Sequence, residues 1–193
     1  MRAVRIIIFL LVLTGLIWLV VVLFQNVLSN GNNTANPATK LSLQSYAGTN
    51  AVASMYIDGP VVANQDHNAV RITVDRNQSS IEIIKGYDDQ VVALQVFPNT
   101  QASYLEFLSA LDEAGYTNGK SDPALQNDKG VCPFGNRYIY TLTDGSKEIL
   151  HYWTTNCSGV SGTYSGKAAL TRQLFLRQIP ENALSTLTKD VAL

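Results

Sequence analysis

A long apolar segment lies close to the N-terminus. Residues 6–24 are hydrophobic except for Thr14 and Gly15. In a helix, about nineteen residues at roughly 1.5 Å each span the hydrocarbon core of a bilayer. The segment therefore predicts a transmembrane helix within residues 1–25, with membrane lipid as its partner.

Basic residues flank this segment on one side. Arg2 and Arg5 precede it, and the next basic residue is Lys40. Because positive flanks stay on the cytoplasmic side, we expect a cytoplasmic N-terminus and an extracytoplasmic C-terminal part. A signal peptide cleaved near residues 27–29 is the alternative. The apolar run is longer than the usual signal-peptide core of about 7–15 residues, which favours an uncleaved single-pass anchor.

The rest of the chain divides into two parts. Residues 26–49 are rich in Asn, Ser, Thr, Gly and Ala without an apolar period, so they predict a flexible linker. Residues 50–193 are long enough to bury their own core, and we expect one extracytoplasmic domain.

The charge balance excludes one class of partner. The chain has 14 basic and 15 acidic residues, and with Arg2 and Arg5 on the cytoplasmic side the exported part has 12 basic residues, a net charge of −3. A mildly acidic domain without a basic stripe does not suit nucleic acid.

Cys132 and Cys157 are the two cysteines of the chain. In an exported domain such a pair indicates a disulfide bond, and the spacing is not the C-x-x-C of redox-active pairs. Two β-rich runs, residues 136–143 and 146–154, flank the turn sequence Asp144-Gly145 between the cysteines, which predicts a hairpin. With that turn, facing residues have numbers summing to 289, as the two cysteines do.

This register assigns the hairpin side chains to two faces. The face expected to meet the core carries Tyr138, Tyr140, Leu142, Ile149, His151 and Trp153. The opposite face carries Arg137, Ile139, Thr141, Glu148, Leu150 and Tyr152.

Four extended runs precede the hairpin, at residues 51–57, 69–75, 80–85 and 90–97. The apolar spacing of residues 100–114 predicts a helix, with Asn99 as N-cap and Gly115 after its last residue. Residues 167–178 predict a second helix, and the last dozen residues a short helix or a tail. The fold class is therefore α+β, with an antiparallel sheet packed by two helices on one face.

Sequence motifs for catalysis are weak. Residues 161–168 resemble a phosphate loop, but Ser161 replaces the first glycine and Ala168 the magnesium-binding hydroxyl, so no nucleotide cofactor is expected. No G-x-S-x-G elbow is present. A Ser-His-Asp set assembled across the fold remains an alternative, because triads need no proximity in sequence.

No metal site is predicted. The two histidines, His67 and His151, are far apart in sequence, and Glu148 lies three residues before His151, which on a regular strand places the two on opposite faces. Further acids fall in predicted turns, where they are usually solvated: Asp58, Asp66, Asp88 and Asp89.

Aromatic residues concentrate around the hairpin. Tyr152, Trp153 and Tyr138 are the candidate binding residues for a peptide or glycan, and core packing is the alternative role. We therefore expect a non-catalytic binding or accessory module for an envelope or protein partner, without a cofactor. The alternative is an extracytoplasmic hydrolase. A cleft joining His67 or His151 to a carboxylate and a hydroxyl would favour the hydrolase.

Overall fold

A computed structural model describes residues 42–189 of the 193-residue chain. The predicted transmembrane helix and most of the predicted linker lie outside these residues. Within residues 42–189, no helix combines the length and apolar character that crossing a membrane requires.

The described residues form a six-stranded antiparallel sheet and three α-helices. The strands are β1 (Ala51–Asp58), β2 (Asn68–Val74), β3 (Gln78–Lys85), β4 (Gln90–Pro98), β5 (Arg137–Asp144) and β6 (Lys147–Thr155). The helices are α1 (Gln101–Ala114), α2 (Ala168–Leu176) and α3 (Glu181–Leu187). The strand order is β4-β3-β2-β1-β5-β6, with every neighbouring pair antiparallel. The predicted α+β class is confirmed, and α3 is a helix where the sequence left a helix or a tail open.

The core lies between one face of the sheet and the helices. Alternate residues of β1, Ala53, Met55 and Ile57, point into it and are buried. The stripe of α1 is buried as its spacing predicts, at Tyr104, Phe107, Leu108, Leu111 and Ala114. Burial of each large apolar side chain contributes about 1.5–3 kcal/mol, so apolar burial in this layer is a large contribution to the stability of the domain.

The ends of α1 show which capping predictions hold. Gly115 adopts the left-handed conformation at φ 79°, as predicted for the residue after the helix. At the other end Thr100, not Asn99, is the N-cap, because its extended backbone lets its side chain accept the Ser103 N–H at 3.1 Å. The Asn99 side chain instead donates to the Asp75 carbonyl at 2.7 Å, which ties the helix start to the β2–β3 turn.

Part of the predicted linker packs on the domain. Leu43–Gly48 forms a 3₁₀ helix with Leu43 and Ala47 buried in the same core as α1. Burial of apolar side chains holds these residues, so the folded domain includes them rather than starting at residue 50.

The register predicted for the β5–β6 hairpin is wrong. Gly145, at φ 59°, is the first turn residue rather than the second, so that Asp144 pairs with Lys147. A bulge between Leu142 and Thr143 then adds an unpaired residue in β6. Tyr140 consequently pairs with Tyr152 instead of Ile149. The shift is an odd number of residues, which moves every β6 side chain along this stretch to the other face.

The predicted faces of the β6 residues change as a result. Tyr152 lies on the helix-covered face with Tyr140. His151 and Trp153 lie on the opposite face, where they pair with Thr141 and Ile139. The bulge also places Glu148 and His151 on one face, 3.1 Å apart, and the prediction of opposite faces is wrong.

The predicted disulfide is confirmed. Cys132 and Cys157 are bonded, with Cα atoms 5.7 Å apart. The bond lies beyond the ladder, since β5 begins at Arg137. Beside it, the Asn156 side chain accepts the Asn136 backbone N–H at 2.8 Å and closes the open end of the hairpin.

Candidate functional site

The face of the sheet opposite the helices carries a cleft of about 730 Å³. The even-numbered residues of β1 form its floor, because odd-numbered ones point into the core. Loops 59–67, 86–89 and 128–130 form its walls. The side chains that line it from these elements include Ser54, Tyr56, Asp58, Arg71, Tyr87, Lys129, Arg137, Thr141 and His151.

A buried ion pair lies at one end of the cleft. Asp58 and Arg137 are paired residues of β1 and β5, and an Asp58 carboxylate oxygen, Oδ2, accepts a hydrogen bond from Arg137 Nη2. Arg137 Nη1 also donates to the Asp128 carbonyl at 2.6 Å and lies 3.6 Å from its carboxylate. Burial lowers the pKa of Arg137, although a guanidinium keeps its charge at any physiological pH. Buried charges need such partners, so this pair orders the end of the cleft.

His67 is held from both sides. It is only 2% exposed, with Nε2 at 3.0 Å from Asp58 Oδ1 and Nδ1 at 3.2 Å from the Pro60 carbonyl oxygen. Its ring stacks on Tyr87 at a centroid distance of 4.0 Å. Both ring nitrogens therefore face oxygens of the protein, and His67 is not positioned as a general base.

Tyr56 and Arg71 form the middle of the floor. The Arg71 guanidinium lies 5.2 Å from the Tyr56 ring centroid and donates to Glu82 at 2.9 Å. The Tyr56 hydroxyl donates to Asp89 Oδ1 at 3.5 Å. Burial, aided by the Asp89 charge, raises the pKa of Tyr56 to about 12, so the phenol is neutral at physiological pH.

Tyr87 fastens the two loops that form the rim. Its hydroxyl donates to the Val62 carbonyl at 3.0 Å and accepts the Val62 N–H at 3.1 Å. Its backbone N–H donates to the Asn64 side chain at 2.8 Å. Tyr87 is 49% exposed as a residue, and His67 stacks against one face of its ring, so Tyr87 presents a fixed aromatic surface to the solvent.

His151 stands on the β6 side of the cleft. Its ring lies 3.1 Å from the Glu148 carboxylate, and both side chains are about half exposed. A solvated pair of this kind contributes about 0–1 kcal/mol, so it presents polar groups to the cleft and adds little to the stability of the fold.

The predicted binding residues do not form one surface. Tyr138 is buried on the helix side, where Arg172 donates to its hydroxyl at 3.1 Å. Tyr152 is half-buried on the same side against Gly119, whose position has no room for a Cβ beside the tyrosine ring. Trp153 lies on the opposite side, 3% exposed, and its Nε1 donates to the Leu125 carbonyl at 2.7 Å. Their contacts are structural, and a ligand role for them stays a prediction.

The cleft residues Tyr56, Arg71, Tyr87 and Arg137 were not predicted. The sequence signal that could have indicated the cleft is the alternation of Ser54, Tyr56 and Asp58 in β1. These side chains give a central strand a polar face, and polar groups on such a face need partners. Among residues 42–189, no group of three or more His, Cys, Asp or Glu side chains is arranged to hold a metal ion.

Comparison with known proteins gives no further assignment. No protein-family model matches the chain. No curated protein matches it significantly. The geometry of the cleft is therefore the basis for inferring a function.

Proposed function

We propose that the domain is a non-catalytic binding module and that the cleft binds a neutral, hydroxyl-rich ligand such as an envelope glycan. The supporting observation is that the charged groups of the cleft compensate one another. Three cationic side chains, Arg71, Lys129 and Arg137, line it together with three carboxylates, Asp58, Asp89 and Asp128.

Charge compensation disfavours a strongly charged ligand. Arg137 is engaged with Asp58 and Asp128, and Arg71 with Glu82 and Asp89. A phosphate or carboxylate group would have to compete with these internal partners. Sugar hydroxyls both donate and accept hydrogen bonds, so they match a surface of fixed carboxylates, guanidinium groups and hydroxyls next to an exposed tyrosine ring.

The same geometry argues against the hydrolase alternative. The cleft does join His67 to a carboxylate, but the second ring nitrogen faces the Pro60 carbonyl and not a hydroxyl. His151 also meets a carboxylate, that of Glu148, but it makes no hydrogen bond to a hydroxyl among the described residues. A serine or threonine nucleophile needs a base with a nitrogen free to accept its proton. We therefore favour binding over hydrolysis.

A glycan array with neutral and anionic oligosaccharides tests the binding proposal. We expect the full chain to bind neutral glycans and Tyr87→Ala to lose at least tenfold in affinity. Leu105→Ala on α1, an exposed leucine outside the cleft, is the matched control. Binding confined to anionic glycans, or equal binding by both variants, would overturn the proposal. Turnover of ester or glycoside substrates that Ser54→Ala or Thr141→Val abolishes would instead establish the hydrolase.

We also propose that residues 1–25 anchor this module to a membrane, with the domain outside the cytoplasm. Support comes from the apolar run and from the Cys132–Cys157 bond, since disulfides persist in oxidising compartments. N-terminal sequencing of the mature protein tests the anchor. A chain that starts near residue 30 would show that the segment is removed.

A further inference from the structure

β4 is an edge strand with an uncommon surface. Within the described residues it pairs with β3 and ends the sheet. Four of its apolar side chains are about half exposed: Val91, Val92, Leu94 and Val96. None of the nine residues of Gln90–Pro98 is charged. Edge strands that remain unpaired are ordinarily protected by charges or by covering chain, so β4 has the surface of a strand that is paired.

The other edge of the sheet, β6, is partly covered by the chain itself. The Tyr164 N–H donates to the Trp153 carbonyl of β6 at 2.9 Å, and the Trp153 N–H donates to the Thr163 hydroxyl at 3.0 Å. Gly119 forms a bridge with Tyr164 on the outer side of this segment. At Trp153 the outward backbone groups of β6 are therefore already used within the chain.

The free backbone groups of β4 can be located. The Asn99 N–H donates to the Asn77 carbonyl at 2.8 Å, and antiparallel hydrogen bonding alternates along a strand. Leu94 and Val96 lie at odd spacing from Asn99, so their N–H and C=O groups point away from β3. The β3–β4 pairing is irregular only between Ile83 and Ile84, which pair with Ala93 and Val91. The pairing from Leu94 onward is therefore regular.

We propose that β4 strands of two copies of this chain pair antiparallel about a two-fold axis near Leu94, joining two sheets into one. In such an interface each strand meets itself in reverse, so a charged residue near the axis would face its own like charge. The absence of charge from β4 removes that repulsion and leaves valine and leucine side chains to meet across the axis. A different partner strand would place no such condition on β4.

The size of the contact sets its strength. Nine residues a side is fewer than the roughly 20–30 of a stable interface, so we expect a weak, concentration-dependent dimer.

Facing residues across an antiparallel pair have Cα atoms about 4.5–5.5 Å apart, which a disulfide can span.

Cysteine crosslinking of the full chain tests the geometry. We expect Leu94→Cys or Gln95→Cys, whichever lies on the axis, to form a disulfide-linked dimer under mild oxidation. Leu105→Cys, an exposed position on α1, is the control and should stay monomeric. If neither β4 variant crosslinks more than the control, the proposal is overturned.

A second measurement uses variants that keep the monomer fold. Leu94→Lys would place two like charges beside the axis, and Val96→Pro would remove an outward N–H without removing a hydrogen bond to β3. We expect both to be monomeric in sedimentation equilibrium at concentrations where the wild-type chain and Leu105→Lys dimerise. A wild-type chain that is monomeric throughout, or a dimer that both variants retain, would overturn the proposal and indicate that another occupant covers β4.

Discussion

The two halves of the sheet are protected from solvent in different ways. On the β5–β6 side, the 162–164 segment and the loop around Leu125 contact β6 at Trp153, which is buried, and the Cys132–Cys157 disulfide joins the chain at the open end of the hairpin. On the β3–β4 side the edge strand is half exposed and without charge. The difference indicates that one edge is partly covered within the chain, where burial contributes to folding stability, and that the described chain leaves the other edge uncovered.

The largest expected difference concerns Trp153. Trp153→Ala should lower the free energy of unfolding by about 3–5 kcal/mol, because it removes a buried aromatic ring and its hydrogen bond to Leu125. Phe134→Ala, at a side chain that is 93% exposed, should change it by less than about 0.5 kcal/mol. Urea unfolding followed by fluorescence or circular dichroism measures both. Equal effects would break the distinction between a covered edge and exposed surface.

The two arginines of the cleft provide a second comparison. Arg137→Met leaves the buried Asp58 carboxylate without its guanidinium partner and should destabilise by about 3–5 kcal/mol. Arg71→Met breaks a partly exposed pair with Glu82 on the β2–β3 side and should cost about 0–1 kcal/mol. Chemical denaturation of both variants compares their losses in the free energy of unfolding. A larger loss for Arg71→Met would contradict the conclusion that the Arg137 pair is the more stabilising of the two.

Removal of the disulfide should have an intermediate effect. The bond closes a loop with a sequence separation of 25, for which the chain-entropy estimate is about 3 kcal/mol. We expect the Cys132→Ser, Cys157→Ser double variant to unfold at correspondingly lower urea. Because the bond lies on the β5–β6 side, hydrogen exchange should accelerate there more than in β3. Uniform acceleration would mean that the sheet opens as one unit.

The smallest effect concerns alkaline pH. Tyr56 has its pKa raised to about 12 in the folded state, against 10.0 ordinarily, so the unfolded chain loses this proton first. Its contribution to stability is complete below pH 10 and declines as pH rises from about 10 to about 12. Tyr56→Phe should therefore reduce the decline in stability across this interval. An unchanged alkaline profile would show that other tyrosines account for it.

Local patterns in the sequence predicted much of the fold. The α1 stripe, Gly115 and the alternating strands depend on neighbouring residues, so their periodicity was sufficient. The cysteine pairing also followed, because a hairpin brings its two ends together in any nearby register.

The cleft could not be predicted in the same way. Asp58 and Arg137 are 79 residues apart, and they meet only because β5 pairs with β1 in the middle of the sheet. The predicted faces of the hairpin were wrong for a related reason. A turn shifted by one residue and a bulge reverse the faces, and neither changes the residue pattern that a reader of the sequence sees.

The sequence by itself therefore determined the α+β class, the element positions, the disulfide and an apolar N-terminal segment, because each follows from residues close together in the chain or from cysteine chemistry. Only the tertiary structure decided which side chains meet in the cleft and which edge is left open. Strand order and register come from packing across the whole sheet, where contacts between distant residues outweigh local preference.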